Sequence, residues 1–359
     1  MRFPRLALAL VTALPLAACG GGGSSNPDAK VNNTPDTAMG TPDAPIAAGC
    51  DFTEAADATN DATPEASAIA LGGAAAKTVC GTINTGHFDT STVDLDGYAF
   101  SVTTAGDFLF RLDTSPAAGA LANVVVSIDD GQTGLGFGVL QVDHGVFSSS
   151  LPAGDYFLSV VANDAGDPAA PIDYKVKILP DTPATRCPTI TATANYTEAH
   201  DGAASADNDV VYVNFNSAPQ YALTPSTTDL PEDSGIVVAP ATSYRISGSS
   251  ANVNVAPPNG DEYNDRDTFT IATGAATNEL EIRFNWAGTA DMDFLVFPEN
   301  GIDSDIGGGT AVHDGEDEFA TIAVKPSSKY WIWVGAYDAS TPLPAAYDLS
   351  ICGKTYTAN

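Results

Sequence analysis

Carboxylates dominate the residues able to do chemistry here: 45 Asp and Glu stand against 14 Lys and Arg, with 4 His and 5 Cys, in 359 residues. Carboxylates can work as acid–base pairs, ligate hard cations or hold water, and spacing decides among these. The common catalytic spacings are missing: there is no GxSxG nucleophile elbow, no HExxH zinc helix and no Walker loop. Gly134-Leu135-Gly136-Phe137-Gly138 falls in a β-like stretch without the helix that a dinucleotide loop opens. His87, His144, His200 and His313 are scattered and no CxxC occurs, which argues against zinc. A carboxylate pair for glycoside hydrolysis is defined by spatial separation, so a hydrolase stays open as an alternative. The best binding hint is aromatic. Tyr330, Ile332 and Val334 alternate with Trp331 and Trp333. If the first set faces inward, both indoles lie on the opposite face, where a sugar or peptide could stack or a loop or neighbouring domain could cover them.

The elements that position these residues are turn-rich. Gly numbers 33, Pro 24, and only 16% of residues are charged, a composition that points to many turns and little helix. Apolar content of 44% supports packed cores, and the length suggests about two domains. A formal charge of -31 and a pI of about 4.1 argue against nucleic acid and against an anionic membrane surface as direct partners, since both need clustered cations. One short helical turn is expected at Thr63-Pro64-Glu65-Ala66, with Thr63 as cap and Pro64 at the first position.

The N-terminus reads as an address. Arg2 and Arg5 precede an apolar run from Leu6 to Leu16, too short to span a bilayer and suited to a signal peptide over 1–18. Leu16-Ala17-Ala18-Cys19 resembles the lipobox of bacterial lipoproteins, which implies cleavage before Cys19 and its lipidation. Gly20 then fits the outer membrane or cell surface, because an Asp in that place commonly retains Gram-negative lipoproteins at the inner membrane. Residues 19–49 hold no periodic apolar pattern and read as a lipidated Cys followed by a flexible tether.

An internal repeat organises the rest. Pro152-Ala153-Gly154-Asp155-Tyr156-Phe157-Leu158-Ser159-Val160 matches Pro326-Ser327-Ser328-Lys329-Tyr330-Trp331-Ile332-Trp333-Val334 without a gap. Tyr174, Val176 and Ile178 correspond to Tyr347, Leu349 and Ile351. Asp94 to Phe100 corresponds to Asp265 to Ile271, and Val79-Cys80-Gly81 to Ile246-Ser247-Gly248. Phe108, Phe110 and Leu112 correspond to Leu280, Ile282 and Phe284, which aligns Arg111 with Arg283. Two β domains follow, 50–181 and 187–353, the second with an insertion near 210–233 where Val210 to Phe215 looks like an added strand. Four cysteines remain after Cys19, and three pairings are possible. Cys50 with Cys80 and Cys187 with Cys352 is the expected pairing, because each bond then lies within one domain of an exported protein.

At these blocks the sequence resembles the bacterial pre-peptidase C-terminal (PPC) domain family, related to the collagen-binding domains of clostridial collagenases. The resemblance rests on Glu54 with Asn60-Asp61, the Val79-Cys80-Gly81 turn, Asp94 to Phe100, Asp291-Met292-Asp293-Phe294 and the closing Tyr347-Asp348-Leu349. It implies an all-β chain of two tandem jelly-roll-like antiparallel β-sandwiches. Copy one departs from the family by showing Asn123-Val124-Val125-Val126 where an acidic strand is usual, and copy two has a degenerate acidic lead from Glu198 to Asp209. Some relatives bind calcium through the acidic lead and the D-x-D turn. The matching residues are Glu54, Asn60, Asp61, Asp94 and Asp96 in copy one, and more loosely Asp265 and Asp267 in copy two; as turn and cap carboxylates they would simply be solvated. Asp303-Ser304-Asp305 before Gly307 does not meet the EF-hand pattern, and Asp314 to Glu318 reads as a solvated loop.

The expectation is therefore a non-catalytic surface lipoprotein, a binding or structural module with calcium as its one candidate cofactor and an extracellular protein or polysaccharide as its partner. An accessory lipoprotein that positions a secreted peptidase or another envelope protein is the alternative within the same class.

Overall fold

The computed structural model describes residues 49–54, 64–73, 75–84, 94–115, 124–131, 134–141, 144–162, 171–182, 186–187, 194–199, 231–250, 266–289, 292–299, 307–308, 318–336 and 345–357. The leader, Cys19, the tether, Asn60, Asp61, Asp265 and the Val210 to Phe215 segment lie outside them.

Period-two alternation builds the strands. In β5 (Gly106–Ser115) Phe108, Phe110 and Leu112 enter the core, while Leu109, Arg111 and Asp113 take the other face. One sheet of the first sandwich runs β1 (Phe52–Thr53), β3 (Lys77–Ile83), β10 (Ile172–Pro180), β5, β8 (His144–Leu151). The facing sheet runs β2 (Glu65–Leu71), β4 (Asp94–Val102), β9 (Gly154–Ala162), β6 (Val124–Asp129), β7 (Gly134–Val139). Between them lies one core that includes Tyr98, Phe110, Val126, Leu158 and Tyr174.

The second sandwich repeats this order strand for strand. One sheet is β11 (Tyr196–Thr197), β13 (Ser243–Ser250), β20 (Ala345–Lys354), β15 (Glu279–Trp286), β18 (Glu318–Ala323). The other is β12 (Glu232–Val238), β14 (Arg266–Thr273), β19 (Lys329–Ala336), β16 (Met292–Pro298), β17 (Gly307–Gly308). Its core is separate and centres on Phe269, Phe284, Phe294, Tyr330 and Tyr347. Strand β6 occupies the position of β16, so Val124 to Val126 keep the strand although the acidic alternation is gone. Both disulfides, Cys50–Cys80 and Cys187–Cys352, are formed in the expected pairing.

Three expectations change. The sheets are antiparallel except at one end of each, where β1 with β3, β2 with β4, β11 with β13 and β12 with β14 run parallel. Of the helical turn expected at Thr63 to Ala66, Thr63 lies outside the described residues and Glu65 and Ala66 instead start a strand: Glu65 opens β2, where pairing with Tyr98 outweighs a local capping signal. In the second copy, Glu232 and Asp233, placed in the insertion, are the first residues of β12, the counterpart of β2.

Candidate functional site

In each sandwich, polar side chains from both sheets meet inside the core at one end. Glu54, just after β1, straddles Gly81 of β3: its N–H donates to the Cys80 carbonyl at 2.9 Å, and its carboxylate accepts the Thr82 N–H at 2.8 Å. Tyr174 of β10 is the cross-strand partner of Gly81, and its ring folds over that glycine. A Cβ at Gly81 would collide with the Tyr174 hydroxyl and lie 2.6 Å from the Glu54 carboxylate, so glycine makes the space in which the two meet. From the facing sheet Asp96 accepts the Tyr174 hydroxyl proton at 2.7 Å. Tyr174 has a single proton to give, so Tyr98 is the donor in the short Tyr98–Tyr174 contact.

The second copy rebuilds this arrangement. Glu198 straddles Gly248, donating its N–H to Ser247 at 2.9 Å and accepting the Ser249 N–H at 3.0 Å. Tyr347, partner of Gly248, donates to Asp267 at 2.6 Å, and a Cβ at Gly248 would again meet the Tyr347 hydroxyl. One hydroxyl has moved between rings. Copy one packs Phe52 edge-on to Tyr98 at 5.8 Å, whereas copy two packs Tyr196 edge-on to Phe269 at 6.2 Å. The Tyr196 hydroxyl accordingly goes elsewhere, to Glu232 at 2.7 Å, and Glu232 also accepts the Ala199 N–H. Glu65 and Glu232 hold the same register, opposite Tyr98 and Phe269.

Burial dominates the electrostatics. It pushes the Tyr98 phenol well above its usual value, with Asp96, Glu54 and Glu65 pushing the same way. The Tyr174 phenol is raised for the same first reason, then by Tyr98, Asp96 and Glu54. At neutral pH both phenols stay protonated and out of reach of solvent. The arrangement therefore ties the two sheets together through buried, protonated phenols.

Sequence-derived candidates fall into three groups. Glu54, Asp96 and Asp267 lie in these networks, at 9%, 3% and 1% exposure, as buried acceptors rather than solvated turn carboxylates. Asp94 opens β4, and its side chain is outside those described. Among the described residues no three His, Cys, Asp or Glu side chains are grouped to hold a metal ion. Of the two readings left open for the indoles, Trp333 follows the covered one, at 1% exposure; Trp331 is half-buried. Their strand lies inside its sheet between β14 and β16, and on the Trp333 face the cross-strand neighbour Thr268 is equally buried, so the indole is packing material there. Glu318, read as part of a solvated loop, opens β18 and is 1% exposed. Sequence reasoning missed Glu65, Glu232 and the pairing of each Tyr with its Gly. The signal was present in the repeat, where Gly81 and Gly248 align and Tyr174 and Tyr347 fall in the inward set.

No protein-family model and no curated protein matches the chain. Among solved structures it is similar to the pre-peptidase C-terminal domain of a collagenase from Bacillus anthracis, at 20% identity and TM-score 0.25 over 34% of this chain and 95% of that one. It is also similar to PliG of Aeromonas hydrophila, a periplasmic inhibitor of g-type lysozyme, at 18% identity and TM-score 0.22 over 34% of this chain and 99% of that one. The Salmonella Typhimurium PliG stands at 16% and 0.20, over 34% and 99%.

Proposed function

We propose that this is an exported, lipid-anchored envelope protein whose two β-sandwiches form a non-catalytic binding or structural module at the end of a tether. The observation that carries the reading is the duplication of the buried Glu–Tyr–Asp arrangement: in both copies the residues best suited to chemistry are spent on joining sheets. The leader, Cys19 and two disulfides suit an oxidising compartment outside the cytoplasm.

Calcium is proposed as an accessory ligand of the acidic end of the first sandwich. The charges of Asp96, Glu54 and Glu65 all act on the Tyr98 phenol there, and Asn60, Asp61 and Asp94 are close in sequence. Glu54 and Asp96 would hold the ion, whose contribution is to offset their mutual repulsion. Asp265 and Asp267 are the counterpart in the second sandwich.

The test has two arms. Incorporation of labelled palmitate is expected, and its persistence in Cys19→Ala sinks the anchor. A thermal melt in excess calcium is expected to exceed one in chelator by several degrees, since ligand at about 100 times its dissociation constant adds roughly 2.7 kcal/mol. Equal melting temperatures return these carboxylates to the hydrogen-bond network alone.

A further inference from the structure

The sandwiches meet through the outward faces of equivalent sheets, with β8 of the first against β18 of the second. A small apolar patch, Leu109, Val146 and Ala323 with Leu179 beside it, marks the contact. Around it gather charges that a surface this acidic would otherwise leave in water. Arg111 of β5 crosses to Glu279 of β15 with two hydrogen bonds, 2.9 and 2.8 Å, and Glu279 is 1% exposed. The repeat places Asp107 where Glu279 stands and Arg283 where Arg111 stands, but the mirror-image pair is not made. Arg283 turns to Glu281 on its own strand, and Arg186 from the connector takes Asp107 while lying 4.7 Å from the Phe319 ring centroid. Lys354 adds to Glu281 and Lys177 pairs with Asp113. Five of the 14 Lys and Arg residues are thus engaged in or beside this seam.

One residue is built into the seam from the far end of the chain. Asn278 grips the Tyr356 backbone from both sides, accepting its N–H and donating to its carbonyl, each at 2.7 Å. Held there by the second sandwich, the Tyr356 ring enters a cage of first-sandwich side chains. Its centroid lies 4.6 Å from the Arg111 guanidinium, 5.8 Å from Lys177 Nζ and 5.0 Å from the His144 ring. Its hydroxyl donates to Asp113 at 2.8 Å and accepts from Lys177 at 3.2 Å.

We propose that Tyr356 is a clasp: the C-terminal segment after β20 locks the two sandwiches into one rigid body, so that their orientation is set by the Tyr356 cage and the Arg111–Glu279 pair rather than by the connector. The physical basis is desolvation. Cation–ring contacts and charge-assisted hydrogen bonds gain strength away from water, and each cage member has a partner that the other sandwich supplies or orients.

The test uses the full chain. Calorimetry is expected to show one transition for both sandwiches in the wild type, and trypsin to cut slowly between Arg186 and Cys187, because that guanidinium is held in the seam. Tyr356→Ala is expected to split the melt in two and to speed that cut at least about thirtyfold, the change expected from losing a cation–ring contact and a hydrogen bond to a charged group. Should Tyr356→Ala fail to fold, Asn278→Ala keeps the ring and every first-sandwich side chain while removing the holder, and is expected to speed the same cut. A wild type that melts in two independent transitions overturns the clasp. So does unchanged protection at Arg186 in Tyr356→Ala, or in Asn278→Ala where the first variant does not fold.

Discussion

The Tyr174 hydroxyl is the point at which the two sheets of the first sandwich are joined, and Tyr347 is its counterpart. Replacing Tyr174 by Phe removes the donor to Asp96 in a site where Asp96 is 3% exposed, and the loss is expected to be about 1–3 kcal/mol by urea unfolding. Gly81→Ala puts a methyl group where that hydroxyl sits and is expected to cost at least about 2 kcal/mol, since an overfilled core must shift backbone. The two changes are coupled through the ring itself: in Tyr174→Phe the methyl still meets Cζ at 2.5 Å and the Glu54 carboxylate at 2.6 Å, whereas in Tyr174→Ala the ring is gone, so Gly81→Ala is expected to cost less in the Tyr174→Ala background than in the wild type. An equal cost in both backgrounds would mean that the glycine is not there to admit the tyrosine. Asp96 and Asp267 stood out in sequence as an acidic pattern, but their role as acceptors of a phenol from the other sheet depends on strands about eighty residues away.

At the scale of elements, the least legible strand was β2. Its alternation breaks where the register with β4 shifts after Ala66, and its counterpart β12 shifts after Asp233. A serine repairs both breaks. Ser67 Oγ donates to the Ala99 carbonyl at 2.5 Å and accepts the Ile69 N–H at 3.2 Å; Ser234 Oγ donates to Thr270 at 2.7 Å and accepts from Ile236 at 3.2 Å. The shared pattern is Glu-x-Ser-x-Ile, at Glu65 to Ile69 and Glu232 to Ile236. Because the hydroxyl stands in for a missing strand partner, Ser234→Ala is expected to cost roughly 1–2 kcal/mol, more than an ordinary surface substitution. A change below about 0.5 kcal/mol in denaturant unfolding would show that water replaces the hydroxyl without loss. The bulge explains why Pro64-Glu65 looked like a helix start: a five-residue motif without alternation carries no strand period.

For the whole molecule, the seam adds a pH dependence. Burial, then the hydrogen bond to Asp113 and that carboxylate's charge, raise the Tyr356 phenol; Arg111 opposes them and Glu279 adds to them. Among the described residues, His144, Lys177 and Asp113 also face it. A folded value above the unfolded value of about 10 means that the folded state holds the proton more tightly. This stability is fully present below about pH 10 and is lost as pH rises through the folded value. The difference in melting temperature between wild type and Tyr356→Phe is therefore expected to stay constant up to about pH 10 and to shrink as pH rises further, because only the wild type has this proton to lose. A difference that stays constant as pH rises above about 10 would show that the folded state does not hold this proton more tightly than the unfolded one. Glu279, Glu281 and Glu318 are polar residues of an acidic chain that sequence alone would leave in water; all three are buried, Glu279 against Arg111 of the other sandwich.

The all-β class was legible from the residues alone, because alternation and turn residues are local properties, and so was the repeat, because equivalent strands keep equivalent inward residues. Tertiary structure decided which side chains meet. Glu54, Gly81, Asp96 and Tyr174 come from four strands or strand ends, and their convergence follows from the strand order of two sheets. Trp333 and Glu318 lie outside the two cores yet are buried, since a strand pattern distinguishes one face from the other and carries no information about what packs on the second. The seam was invisible for the same reason: Arg111, Glu279 and Tyr356 are outward-facing or terminal residues, and only the docking of two sandwiches sets them against one another.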